Sequence, residues 1–122
     1  MSTITIDTNT FDKDIQLSNV EGIRYNGDAH DADSPEYLDL VRYPIKSGSS
    51  NPRNRVKARL VVAAFDDDGT RLGDALFDGI VNVPVGMTTA SRTSFLAKIA
   101  SLGGNSTLMT ALVEKRDVDQ TA

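Results

Sequence analysis

The sequence contains no cysteine, so disulfides, a thiolate nucleophile and a cysteine-based zinc site are excluded, and the redox compartment leaves no trace. Its one histidine, His30, stands among the carboxylates of Asp28–Asp33, surroundings that read as a solvated loop rather than a metal site. There is no glycine-rich phosphate loop between a strand and a helix, and no nucleophile-elbow pattern. Most of the acidic residues fall in loops and termini, without a recognisable acid–base partner, so catalysis has the least support of any class and no cofactor is expected. No apolar run approaches the roughly 20 residues needed to span a bilayer, and no membrane partner is expected. The start, MSTITID, lacks the basic and apolar regions of a secretory signal. The most informative absence is local: from Leu40 to Phe65 there is no Asp or Glu.

That acid-free span carries Arg42, Lys46, Arg53, Arg55, Lys57 and Arg59, in a chain whose formal net charge is -4. Positive charge is therefore gathered in one part of the chain, although 13 basic against 17 acidic residues argue against nucleic-acid binding by the whole surface. Within the span, Arg55–Phe65 (RVKARLVVAAF) alternates Arg55, Lys57 and Arg59 with Val56, Ala58 and Leu60. As a β-strand it puts cations on one face and an apolar row on the other. One face wants a core and the other wants anions. The residues alone leave a plainer reading open, in which Lys and Arg merely keep a strand face solvated and blunt edge pairing.

The chain reads as one domain, 1–122, with 39% apolar and 25% charged residues, as expected of a soluble globular protein. A core of this size gains from an extra buried interface, so oligomerisation is expected. Ser2–Asp7 and Phe11–Leu17 form an N-terminal hairpin, and Val20–Asn26 forms a strand ended by Asn26-Gly27. The acidic stretch Asp28–Pro35 is a surface loop, and Glu36–Ile45 is a further strand with Leu38 and Leu40 on one face and Tyr37, Asp39, Val41 and Tyr43 on the other. Ser47–Pro52 is a flexible link into the basic strand. Asp66-Asp67-Asp68-Gly69 signals a turn, in a loop running to about Asp74, and lacks the spacing of a calcium loop. Ala75–Gly86 reads as a long strand with Asp78, Ile80 and Asn82 on one face. At Thr88-Thr89 the period changes to a helical one, with Phe95, Leu96, Ile99 and Leu102 in a stripe that Gly103-Gly104 ends. Asn105 or Ser106 caps a second helix with Leu108, Met109, Leu112 and Val113 on its apolar side. These stripes read as core or dimer interface, and Asp117–Ala122 is a polar tail.

Strands first and helices last make an α+β chain: an N-terminal β-hairpin and antiparallel meander followed by two C-terminal helices. If the helices cover one face of that sheet, the other face is open, flat and cationic.

The second half, Arg53 to Asp117, resembles the coat protein of the single-stranded RNA bacteriophages, the leviviruses. The likeness is carried by Arg55-Val56-Lys57-Ala58-Arg59-Leu60, by Val83-Pro84-Val85, by Thr89-Ala90-Ser91-Arg92-Thr93-Ser94-Phe95-Leu96, and by two closing helices broken at Gly103-Gly104. The longer link at Ser47–Pro52 and the absence of cysteine depart from the better-known members. The resemblance implies a non-enzymatic shell protein, made in the bacterial host cytoplasm and located in the virion, in which two chains join their sheets edge to edge and exchange helices. It implies that Phe95, Ile99, Leu102, Leu108 and Leu112 form core or dimer contacts. It also implies that the turn with Asp67, Asp68, Gly69, Thr70 and Arg71 mediates contacts between dimers of an icosahedral particle. The open face would bind genomic RNA through Arg55, Lys57 and Arg59, with Arg42 and Lys46 extending it. Tyr43 or Tyr37 is a candidate for stacking on, and Asn82 for hydrogen-bonding to, the bases of an operator hairpin. The alternative is a small dimeric RNA- or ligand-binding module without a shell; a third reading is an adaptor whose basic face meets an acidic protein.

Overall fold

A computed structural model describes residues 2–17, 21–45, 48 and 50–115 of the chain. Lys46 and the polar tail lie outside the described residues. The chain divides into two compact units, Met1–Val85 and Gly86–Ala122.

The first unit is a six-stranded antiparallel sheet whose spatial order is its sequence order. Its strands are β1 (Thr3–Ile6), β2 (Asn9–Gln16), β3 (Glu21–Gly27), β4 (Glu36–Tyr43), β5 (Arg53–Phe65) and β6 (Arg71–Pro84). β1 and β2 meet through a two-residue turn, with Ile6 opposite Asn9 and positive φ at both Asp7 (48°) and Thr8 (66°). Those angles match the right-handed twist of the flanking strands. The core lies on one face of this half, where Phe11, Tyr25 and Leu38 are buried. Around them pack Ile4, Ile6, Ile23, Leu40, Ala58 and Leu60. Alternation explains the selection: Tyr25, Leu38 and Leu60 lie opposite one another on successive strands, so they share a face.

The β5–β6 hairpin is longer, with strands of 13 and 14 residues. Its turn is tighter than the sequence suggests. The Asp66 carboxylate accepts the Asp68 and Thr70 backbone N–H groups at 3.0 and 2.8 Å, and the Asp66 N–H donates to the Thr70 carbonyl at 2.9 Å. Gly69, at φ 81°, takes the left-handed position such a turn needs. The expected loop to Asp74 therefore ends at Thr70, and Arg71 is a strand residue. A bulge between Ala64 and Phe65 follows, with Gly73 at φ 136° on the opposite strand.

The second unit opens with α1 (Thr89–Gly103), whose N-terminus is closed by Thr88 accepting the Ser91 N–H at 3.2 Å. Asn105 caps α2 (Ser106–Thr110) in the same way, accepting the Leu108 N–H at 3.0 Å. α2 is shorter than its apolar pattern suggests and widens into a π-helical turn, Ala111–Lys115. No residue of α1 is buried, and Leu96 and Leu102 are 66% and 54% exposed. Among the described residues, none of the stripe Phe95, Ile99, Leu102, Leu108 and Leu112 is buried.

Candidate nucleic-acid interface

The register of β4, β5 and β6 decides which side chains stand together. Tyr43 lies opposite Arg55, Val41 opposite Lys57 and Asp39 opposite Arg59. On the other side of β5, Arg55 lies opposite Asn82, Lys57 opposite Ile80 and Arg59 opposite Asp78. Directly opposed residues share a face, so Arg55, Lys57, Arg59, Tyr43 and Asn82 come together on the side away from the Phe11–Tyr25–Leu38 core. Arg42 does not join them. It lies opposite Val56 on β5 and Glu21 on β3, on the core side, and its Nε donates to Glu21 Oε2 at 2.9 Å. A one-residue step along a strand reverses the side-chain direction, so neighbours Arg42 and Tyr43 cannot both extend the cationic face.

Arg59 is tied fork to fork to Asp78, Nε to Oδ1 at 2.7 Å and Nη2 to Oδ2 at 2.9 Å. That hydrogen-bonded pair raises the pKa of Arg59 and holds the Asp78 carboxyl below the usual carboxylate range. Two strands away, Arg24 grips Asp39 with the same geometry, at 2.7 and 2.9 Å. Asp39 is buried, and the hydrogen bond to it raises the pKa of Arg24. The Arg24 guanidinium also sits 3.9 Å from the centroid of the Tyr37 ring. Because Arg24 is opposite Asp39 and Asp39 opposite Arg59, the four residues Arg24, Asp39, Arg59 and Asp78 form one row of alternating sign across β3 to β6.

Towards the start of β5 the arrangement changes. Arg55 lies over Tyr43, 4.7 Å from the ring centroid, and no carboxylate pairs with it among the described residues. Lys57 makes no hydrogen bond or ion pair among the described residues. Arg53 donates from Nε to Asn82 Oδ1 at 2.7 Å and from Nη2 to the Asn82 carbonyl at 3.2 Å. The Asn82 acceptor is thereby occupied, while its amide hydrogens remain for another partner. A cavity of about 560 Å³ at the strand ends reaches Tyr43 and Arg55, but it is lined also by Pro44, Ile45, Asn54 and Val56 and by the Glu21–Arg42 ion pair of the core side. Flat stacking surfaces, an oriented amide and cations without carboxylates make this end suited to unstacked bases and phosphates.

Arg24, Asp39 and Arg53 were not among the candidates that the sequence offered. Parity places Asp39 with Tyr43, but only the cross-strand register reveals Arg24 beside it. Arg53 belongs to the acid-free span but precedes the strand expected from Arg55, whereas it opens β5 opposite Pro84.

No protein-family model and no curated relative matches the chain. Solved structures do. A subunit from the virus-like particle of Beihai levi-like virus 32 is similar with a TM-score of 0.75 and 16% identity, covering 96% of this chain and 93% of that one. Its fold is the levi-like coat-protein fold. A subunit from the virus-like particle of Beihai levi-like virus 21 matches at a TM-score of 0.73 and 17% identity, over 98% of both chains. One from Wenzhou levi-like virus 4 matches at 0.73 and 14% identity, over 100% of this chain and 90% of that one. The likeness spans the whole meander and the helices, so the cationic face stands on a scaffold shared along nearly the full length of each chain.

Proposed function

We propose that the chain is the coat protein of a levi-like RNA bacteriophage, a structural rather than catalytic subunit that dimerises, assembles into an icosahedral shell and holds RNA on its cationic sheet face. The observation that carries this reading is the near full-length likeness to subunits of virus-like particles. The surface chemistry supports it. β6 is the edge of the sheet and 14 residues long, with Leu76, Phe77, Ile80 and Val81 exposed. A long edge strand that is apolar on both faces invites pairing, and pairing with β6 of a second copy would give a continuous sheet. The exposed stripe of Phe95, Leu102 and Leu112 needs cover for the same reason, which helix exchange with that copy supplies.

In this reading the subunit spans 1–122 and resides in the virion after assembly in the host cytoplasm. The turn with Asp67, Asp68, Gly69 and Thr70, together with Arg71, makes contacts between dimers. Arg55, Lys57 and Arg59 form the cationic face, and each cation that neutralises a phosphate releases a counterion, giving salt-dependent binding with little sequence preference. Repetition over a particle makes weak contacts strong in sum. Tyr43 and Asn82 would read bases if an operator hairpin is bound to repress translation.

Electron microscopy and gel filtration of the expressed protein test the first half: shells tens of nanometres across are expected on the order of a multi-dimer assembly. Dimers alone would move the reading to a small RNA-binding module. Changing Arg55, Lys57 and Arg59 together to Ser should leave the dimer intact and lower the RNA content of purified particles; unchanged content would remove the RNA-binding assignment of that face.

A further inference from the structure

We infer that the row Arg24–Asp39–Arg59–Asp78 is a charge-balanced boundary that confines a single-stranded polynucleotide to the end of the sheet face holding Arg53, Arg55 and Lys57, and that Arg59 is not itself a phosphate contact. The inference rests on the RNA-binding reading above and narrows it.

Both guanidiniums of the row are held by carboxylates in bidentate geometry, at 2.7 and 2.9 Å in each pair. A phosphate approaching Arg59 meets the Asp78 carboxylate at the same point, so the pair offers no net charge and releases no counterion to gain. Arg55 and Lys57 make no ion pair with a carboxylate among the described residues, Asp78 acting on Lys57 only as a nearby charge, and the hydrogen bonds of Arg53 go to a neutral amide. Beyond the row the sign reverses. Asp74 is on β6, Asp66, Asp67 and Asp68 form the β5–β6 turn, and Asp31 and Asp33 are in the β3–β4 loop. Arg71, which pairs with Asp74 and donates to the Asp33 carbonyl at 3.2 Å, is the cation that this end sets against them. A polyanion therefore finds a basic strip on one side of the row and an acidic field on the other, and a track across the strands near the start of β5 follows.

The test uses the protein as expressed, with a single-stranded RNA oligonucleotide of uniform sequence as probe, and reads the slope of log affinity against log salt. R59Q/D78N removes the pair as a neutral unit, and R59D/D78R reverses it as a control for folding. Both should leave affinity and slope unchanged, whereas K57Q and R55Q should each lower the slope by about 0.7. D78N alone frees Arg59 and should raise the slope by a similar amount, about 0.7. If R59Q/D78N and R59D/D78R both weaken binding as K57Q does, Arg59 is a phosphate contact and the boundary is overturned while the RNA-binding face stands. If R55Q/K57Q also binds RNA as tightly as the parent, the face and the boundary fail together.

Discussion

The two halves of the sheet solve the same problem differently. In β1 to β4 the apolar face closes on itself, leaving Phe11 and Tyr25 each 2% exposed. In the β5–β6 hairpin an aromatic of the same kind, Phe77, is 58% exposed, with Leu76 and Ile80 similarly open on the other side of the strand. The first half holds the buried cluster, with Ala58 and Leu60 of β5 packed against it, whereas the outer strand β6 is built to be covered by something else. Substitution should separate them. Phe11→Ala should cost about 3–5 kcal/mol in denaturant unfolding, because it opens a cavity in a packed site. Phe77→Ser should leave the spectroscopic signature of the fold in place and weaken self-association by about tenfold or more in sedimentation analysis. Equal losses of fold in the two variants would erase the contrast.

The two ion pairs of the row sharpen the contrast. Asp39, 8% exposed, sits between Arg24 and Arg59, whereas the Asp78–Arg59 pair is open to solvent. Removing a buried partner strands a charge, so Asp39→Ala should destabilise by about 2–3 kcal/mol. Asp78→Asn should be far milder, since exposed pairs are screened. Its signature is in pH. The pKa of Asp78 is depressed below its ordinary 3.8 by the hydrogen bond from Arg59, so its contribution is present above that value and lost as pH falls through the lower folded-state value. Stability curves of the parent and Asp78→Asn should differ at neutral pH and converge in acid, which an acid titration followed by circular dichroism would detect.

The parity of each strand was legible in the sequence, because a two-residue period is local: Arg55, Lys57 and Arg59 do face away from Val56, Ala58 and Leu60. The relation between strands was not. A loop reaching Asp74 leaves the β5–β6 register open, whereas the turn closed by Asp66 sets Arg59 against Asp78 and so takes one cation out of the basic face. Arg42 shows the opposite fault, since counting alternately from Leu38 and Leu40 already places it on the core side, and only its charge suggested otherwise. The helical stripe was legible as apolar, but amphipathic spacing identifies a surface that needs cover without naming what covers it. Nothing in the spacing of Leu108 to Val113 signals the widening at Ala111.

The smallest expected effect belongs to the half that holds the buried cluster. Thr8 holds φ at 66° in the β1–β2 turn, a left-handed conformation in which a β-branched side chain crowds its own backbone. Asp7, at 48°, is a residue type that tolerates this region better. Glycine at position 8 would relieve the crowding but also loosen the unfolded chain, and the two effects partly cancel. Thr8→Gly should therefore raise stability by only about 0.5–1 kcal/mol, seen as a shifted denaturant midpoint at constant slope. The change lies in the half with the buried cluster, so particle assembly and the RNA salt slope should both stay as they are. A change in either would mean that the N-terminal hairpin is part of the covered surface and that the division between the halves is drawn in the wrong place.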